Sequence, residues 1–350
     1  MKSISIAILL FFMTVSLVWA QGLPPKSFRT TTAKPGRLKE APRKIFIKTF
    51  KVYYQMIAEA EKTVYGGRQF GGGSYTGNAT ARLAVGVEGI NPEHLQELTD
   101  ELYQEYVSKL EEMGLEVLTA KDIAPIEYFE GWGIINGPHM NQEQLKGSLM
   151  VVPEGFSYKI KKLTKKGKEK TGGFMAGVQS VNGTLGVDFA SSAYGALPKI
   201  SNQLDDVIVA EMVINVPSIY LNPKSKLGTA KVKGGPYLRL ANAKASYVSG
   251  KLNKPGAPYP NAMIEIMLSE AVPINGVFQG EEFKAVATKS RTSVPSYAPF
   301  FTVEDKTVEL TNTISCDASV YQQAVKKPIL SFMELSLNKL SLGLKGEKVK

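Results

Sequence analysis

Two hydrophobic periods run through this chain, and the changes from one to the other mark out its elements. In "NPEHLQELTDELYQEYVSKLEEMG", Leu95, Leu98, Leu102, Tyr106, Leu110 and Met113 recur every three or four positions. That spacing predicts an amphipathic helix over about 92–113 with one apolar stripe. Asn91 suits the cap, Pro92 the first helical position, and Glu93 the positive end of the dipole. Gly114 can take the left-handed conformation that ends a helix. A second helix is predicted over about 317–340, in "DASVYQQAVKKPILSFMELSLNKL", capped by Asp317 and kinked at Pro328.

Elsewhere the period is two. "KIFIKTFKVYYQMIAEAEKTV" reads as a long strand from about 44 to 59, and "ATARLAVGVEGI" as a second. The glycine-rich stretch "GGRQFGGGSYTGNAT", 66–80, joins them. "LEVL" is a short strand after the first helix, and "KISNQLDD" a short helix. "IEYFEGWGIINGPHMN" reads as an aromatic loop or irregular strand. "GSLMVVPEGFSYKIKK" and "GGFMAGVQSV" read as strands around a lysine-rich tip. "VIVAEMVINVPSIYL" pairs with "GGPYLRLANAKASYVSG", and "NAMIEIMLSEAVP", "GEEFKAVATKS" and "TVELTNTIS" supply further strands. The fold class is α+β, a largely antiparallel β-sheet with two principal helices packed on it.

The first residues set the ends of that plan. Lys2, the apolar run Ile4–Val18 and Val18-Trp19-Ala20 form a secretory signal over 1–20, with Gln21 as the first mature residue. No later segment is apolar for long enough to span a membrane as a helix. Residues 21–43 read as a flexible, basic, Pro- and Thr-rich tail, 44–340 as one domain or two joined halves (44–150 and 151–340), and 341–350 as a lysine-rich tail. Cys316 is the only cysteine, so no internal disulfide forms and the core must hold the fold. The expected location is exported: periplasm, outer membrane or outside the cell.

Charge and chemistry refine the picture. The formal charge is +10, and losing Lys2 with the signal leaves +9. Much of it lies in "KIKKLTKKGKEK", where Lys159, Lys161, Lys162, Lys165, Lys166, Lys168 and Lys170 face one acid, Glu169. Beyond Ile160 the segment "KKGKEK" has no apolar residue to bury, so it is expected to project into water and reverse at Gly167. Such a run reads either as a solvated hairpin tip kept soluble by lysine or as a grip for a polyanion, with an envelope protein or acidic glycan or lipid head groups as the candidate partners. Export argues against nucleic acid as its target.

No cofactor is implied. A phosphate-binding loop needs glycines leading into a helix, with a Lys-Ser/Thr pair behind them; here they lead into a strand, so no nucleotide is expected. His94 and His139 with Cys316 supply no zinc site and no Ser–His pair of recognisable spacing. Paired carboxylates are the remaining catalytic option. Glu127 and Glu130, beside Tyr128 and Trp132, are the candidates for a carbohydrate-active hydrolase, with an aromatic platform to hold a sugar ring.

The blocks "KIFIKTFKVYYQMIAEAEKTV" and "GNATARLAVGVEGINPEHLQELTDELYQEYVSKLEEMGLEV", with "QLDDVIVAEMVINV" and "CDASVYQQAV", resemble a group of exported, uncharacterised bacterial envelope proteins. A more distant resemblance is to curli-secretion CsgG-type proteins, which anchor through a lipidated cysteine that this chain lacks at its cleavage point. The resemblance implies an envelope location and no activity or pore. The preferred expectation is a non-enzymatic structural or binding role.

Overall fold

Ordered structure begins earlier than the hydrophobic pattern suggests. The computed structural model of the protein describes residues 23–67, 77–170, 195–226, 228–252, 260–289 and 310–349. The signal, the centre of the glycine stretch, "GGFMAGVQSV" and the first part of the strand expected over 307–315 lie outside these residues. A 3-10 turn at 25–27 leads into β1 (Phe28–Ala33), an edge strand whose Thr31 stands opposite Glu265. A second 3-10 turn at 35–40 seats Leu38 fully in the core. The expected flexible tail over 21–43 is therefore corrected from Phe28 onward. Its threonines are β-branched and suit an edge strand as well as they suit a tether.

β2 (Lys44–Gln55) and β3 (Ile57–Val64) replace the single strand expected there. They divide at Met56 because the carbonyl of Gly147 accepts both the Met56 and Ile57 amides, each at 2.9 Å. β4 (Ala79–Glu88) pairs antiparallel with β3, so the glycine stretch does join two strands. α1 (Pro92–Glu112) follows, capped by Asn91. His94 occupies the place where Glu or Gln usually closes a capping box, its Nδ1 accepting the Asn91 amide at 3.2 Å. β5 (Glu116–Leu118) then runs parallel to β2.

The aromatic segment holds a 3-10 turn at 127–129 and β6 (Gly133–Asn136). After it come β7 (His139–Leu145), β8 (Ser148–Val152), β9 (Ser157–Ile160), β10 (Lys162–Leu163) and β11 (Glu169–Lys170). α2 (Ala196–Gln203) ends before Asp205 and Asp206, which both take positive φ. The later strands are β12 (Ile208–Val216), β13 (Ile219–Lys226), β14 (Thr229–Pro236), β15 (Arg239–Leu252), β16 (Pro260–Leu268), β17 (Val272–Pro273), β18 (Phe283–Thr288) and β19 (Asn312–Ser315). α3 (Ala318–Lys345) opens on Asp317, whose Oδ1 accepts the Ser319 and Val320 amides, and runs on through Pro328. It also runs past residue 340 and buries Leu344, so the expected tail from 341 is corrected: the chain leaves the helix only at Gly346, in the left-handed conformation.

Nine strands form the main sheet, in the order β1-β16-β15-β12-β2-β8-β7, with β17 on β15 and β5 on β2. Antiparallel pairs predominate; β2 runs parallel to β12 and β5. β2 lies between β12 and β8, so strands from before and after residue 150 interleave. Both long helices cover one face, burying Leu95, Leu102, Tyr106, Ile329 and Phe332. A hydrogen-bonded relay crosses that interface: Tyr106 Oη to Tyr247 Oη at 3.2 Å, and Tyr247 Oη to Ser336 Oγ at 3.0 Å. α2 covers part of the other face over Phe46, Val209, Val248 and Met263. A smaller sandwich packs β19-β4-β3 against β13-β14-β18 around Leu83, Val85, Ala230 and Val232.

Candidate functional site: a lysine hairpin on a buried glutamate

β9 buries the apolar face that the sequence predicts, and Ser157 on its other face is buried as well. Phe156, Tyr158 and Ile160 are buried, Lys159 is half-buried and Lys161 exposed. The chain then makes a small hairpin, Lys162 opposite Lys170 and Leu163 opposite Glu169. Its loop closes through the Gly167 amide on Thr164 O (2.9 Å) and the Lys168 amide on Thr164 Oγ1 (2.9 Å), with Gly167 at φ +81°. Lys161, Lys162, Lys165, Lys166, Lys168 and Lys170 are all exposed.

Glu169 corrects the expectation that this whole segment projects into water. Its side chain is turned inward and is 2% exposed. Oε2 pairs with Lys51 Nζ at 2.9 Å, and Oε1 accepts the Tyr158 hydroxyl at 2.7 Å. His139 Nε2 and Asn141 Nδ2 each lie 3.3 Å from Oε1. Asn141 Nδ2 also donates to Gly167 O at 2.9 Å, which ties the loop to β7. The Lys51 ammonium sits 4.3 Å from the centre of the Tyr158 ring. Burial alone would raise the Glu169 pKa, but His139, Lys51 and Tyr158 together favour the anion and hold it at about 2. Sequence reasoning missed Lys51, His139, Asn141 and Tyr158 as partners. Two signals were available: a lysine inside the apolar run "TFKVYY", and one acid among seven lysines.

The aromatic candidates lie elsewhere. Phe129 is buried against Phe46, with ring centroids 6.2 Å apart. Trp132 meets Phe129 at 5.2 Å and 70°, and Tyr128 meets Phe129 at 5.2 Å and 86°. These edge-to-face contacts make a packed apolar cluster. Glu127 is exposed and accepts Gln203 Nε2 at 3.3 Å, while Gln203 Oε1 accepts the Tyr128 amide at 2.9 Å. That pair fastens the turn to the end of α2. Glu130 is also exposed. Tyr128 borders a second buried charge group: Glu211 takes Lys48 at 2.6 Å and Lys244 at 3.2 Å, and Ser246 donates to Glu265 at 3.3 Å.

His139 lines a shallow cavity of about 360 Å³ with Glu93, Gln96, Glu97, Pro138 and Met140. A wider one of about 750 Å³ opens beside α1 and β5, lined by Tyr103, Ser108, Glu111, Lys121 and Asp122 among others. Cys316 is half-buried, and burial together with Asp317 pushes its thiol up to about 11, far from thiolate character at neutral pH. Among the described residues no group of three or more His, Cys, Asp and Glu side chains could hold a metal ion. No helix among them is long and apolar enough to cross a membrane. No family model, curated protein or solved structure matches the chain.

Proposed function

We propose that this is an exported bacterial envelope protein that acts by binding, with the lysine hairpin as its contact for an acidic envelope component. The observation that carries the reading is the direction of Glu169. The one acid of the segment is neutralised inside the fold, so six exposed lysines face solvent with no carboxylate of their own segment among them. The hairpin is also fixed at its root, so little ordering remains to oppose binding. Lysines bind as point charges without the planar fork of arginine, so affinity is modest, selectivity low, and salt weakens both. The leader read in the sequence supports a location where acidic glycans and lipid head groups are found.

The test is retention on heparin and on immobilised lipopolysaccharide at rising salt. Replacing Lys161, Lys162, Lys165 and Lys166 with glutamine should bring elution to markedly lower salt while leaving thermal unfolding unchanged. Unchanged retention would make the hairpin a solvated turn. Amino-terminal sequencing of protein from the envelope should begin at Gln21; an intact Met1 would remove the export half of the proposal.

A further inference from the structure

A second basic surface stands on different residues. In the small sandwich, β13, β14 and β18 turn Ile219, Ala230, Val232, Phe283 and Ala285 toward β3 and β4. Their alternate residues form the outer face, and the register fixes its rows. Lys226 stands beside Thr229 and Thr288; Lys224 beside Lys231 and Val286; Asn222 beside Lys233 and Lys284. Five lysines thus share one three-stranded face. Strands about 4.8 Å apart, with same-face residues about 7 Å apart along each, put them in a patch roughly 10 Å wide and two to three rows deep. Lys224, Lys226, Lys284 and Val286 are exposed.

Among the described residues the charge there is poorly compensated. Glu282 pairs with Lys233 and takes the Tyr220 hydroxyl at 3.1 Å. The Lys231 ammonium is disfavoured by partial desolvation and then by Lys233, Lys284 and Lys224 around it. Like charges opposite each other weaken a sheet, so this face carries a cost that a bound anion would relieve.

The shape and chemistry of the face select the anion. Among the described residues it is an open sheet surface, and its rows contain no arginine to grip a phosphate or guanine edge in two places. The one aromatic ring of this face, Tyr220 in the row beyond Asn222, has its hydroxyl tied to Glu282 and its ring edge-on to Tyr237 at 6.5 Å, so the lysine rows offer no series of rings on which successive bases could stack. In its middle row, on the edge strand β18, an apolar side chain, Val286, is half exposed beside Lys231 and Lys284, at 50%. Long lysine stems beside a small exposed apolar group match the boundary between head groups and acyl chains. We infer that the outer face of β13, β14 and β18 docks on a bilayer surface bearing anionic phosphate head groups. This inference does not use the hairpin and stands or falls apart from it.

Vesicle flotation tests it with the full mature chain. Wild type should float with phosphatidylglycerol–phosphatidylcholine vesicles and not with phosphatidylcholine alone. Each lysine near an anionic membrane is worth about a fivefold change in partition, so replacing Lys224, Lys226, Lys231 and Lys284 with glutamine should reduce binding by roughly two to three orders of magnitude. The corresponding arginine variant should keep it. The hairpin glutamine variant should retain most vesicle binding, which separates this surface from the hairpin. If the sheet variant floats like wild type, or if only the hairpin variant is impaired, the inference fails while the hairpin proposal survives. Saturable binding to duplex DNA that depends on these lysines, without vesicle binding, would also overturn it. A check that needs no variant is amine acetylation of wild type with and without vesicles: Lys224, Lys231 and Lys284 should be protected, and equal labelling counts against docking.

Discussion

Glu169→Gln is the sharpest perturbation of the candidate site, because it changes one charge and almost no shape. The carboxylate is buried and meets Lys51, itself 1% exposed, at 2.9 Å. The substitution leaves Lys51 in the interior without its carboxylate. Breaking one side of a buried pair costs about 3–5 kcal/mol. Linkage gives a consistent figure: a carboxyl that titrates near 4.5 when unfolded and at about 2 when folded contributes about 3 kcal/mol at neutral pH. The sign follows from the lowered folded pKa. The contribution is fully present above about pH 4.5 and is lost as pH falls toward about 2. Urea unfolding of wild type and variant should therefore differ by about 3–4 kcal/mol at neutral pH, and the gap should narrow steadily below about pH 4.5. The pair Lys51→Met with Glu169→Leu, which removes both charges, should recover part of the loss. A variant within about 0.5 kcal/mol of wild type at neutral pH, or a gap that ignores pH, would refute the assignment of Glu169 as the buried anchor.

Two further predictions concern the scaffold. Leu102 is fully buried between α1 and the main sheet, so Leu102→Ala should cost about 2–5 kcal/mol in the same assay, whereas exposed Glu105→Ala should stay within about 0.5 kcal/mol. Gly147 has φ +72°, and an added Cβ would lie 2.0 Å from Ile57 O; Gly147→Ala should cost about 2 kcal/mol or more, and Gly155→Ala, with similar φ and open space, clearly less.

The elements that were legible in the sequence are those whose cause is local. The stripe from Leu95 to Leu110 predicted α1 and its buried face, and Asp317 marked the start of α3. The alternation of Phe156, Tyr158 and Ile160 predicted the inward face of β9. β1 was missed because its threonines and flanking prolines carry the composition of a tether. What holds it extended is pairing with β16, more than 200 residues later, Thr30 opposite Ile266. The break between β2 and β3 was missed for a related reason: it is set by the carbonyl of Gly147 and not by any breaker at Met56.

The candidate site shows why charge is harder to place than hydrophobicity. A charged side chain in a strand usually marks the wet side, yet Lys48 and Lys51, three positions apart in β2, fall on opposite faces of the same strand. Here both faces of the central strands are covered, and β12 is buried at every position from Ile208 to Val216. A charge on such a strand needs a counter-charge, and the fold supplies it from far away in sequence. Lys51 finds Glu169 across 118 positions, and Lys48 finds Glu211 across 163. No window of the sequence contains both members. The local anomaly is nevertheless visible: a lysine between Phe50 and Val52, and a glutamate between Ala210 and Met212. Each says that a partner must exist without saying which. The same reasoning inverts the reading of the lysine hairpin. Its one acid looked like partial neutralisation of an exposed run, and it is instead the group that the interior requires. Burying Glu169 both anchors the hairpin and strips its outer side of negative charge, so one side chain serves the stability of the fold and the polarity of the proposed contact.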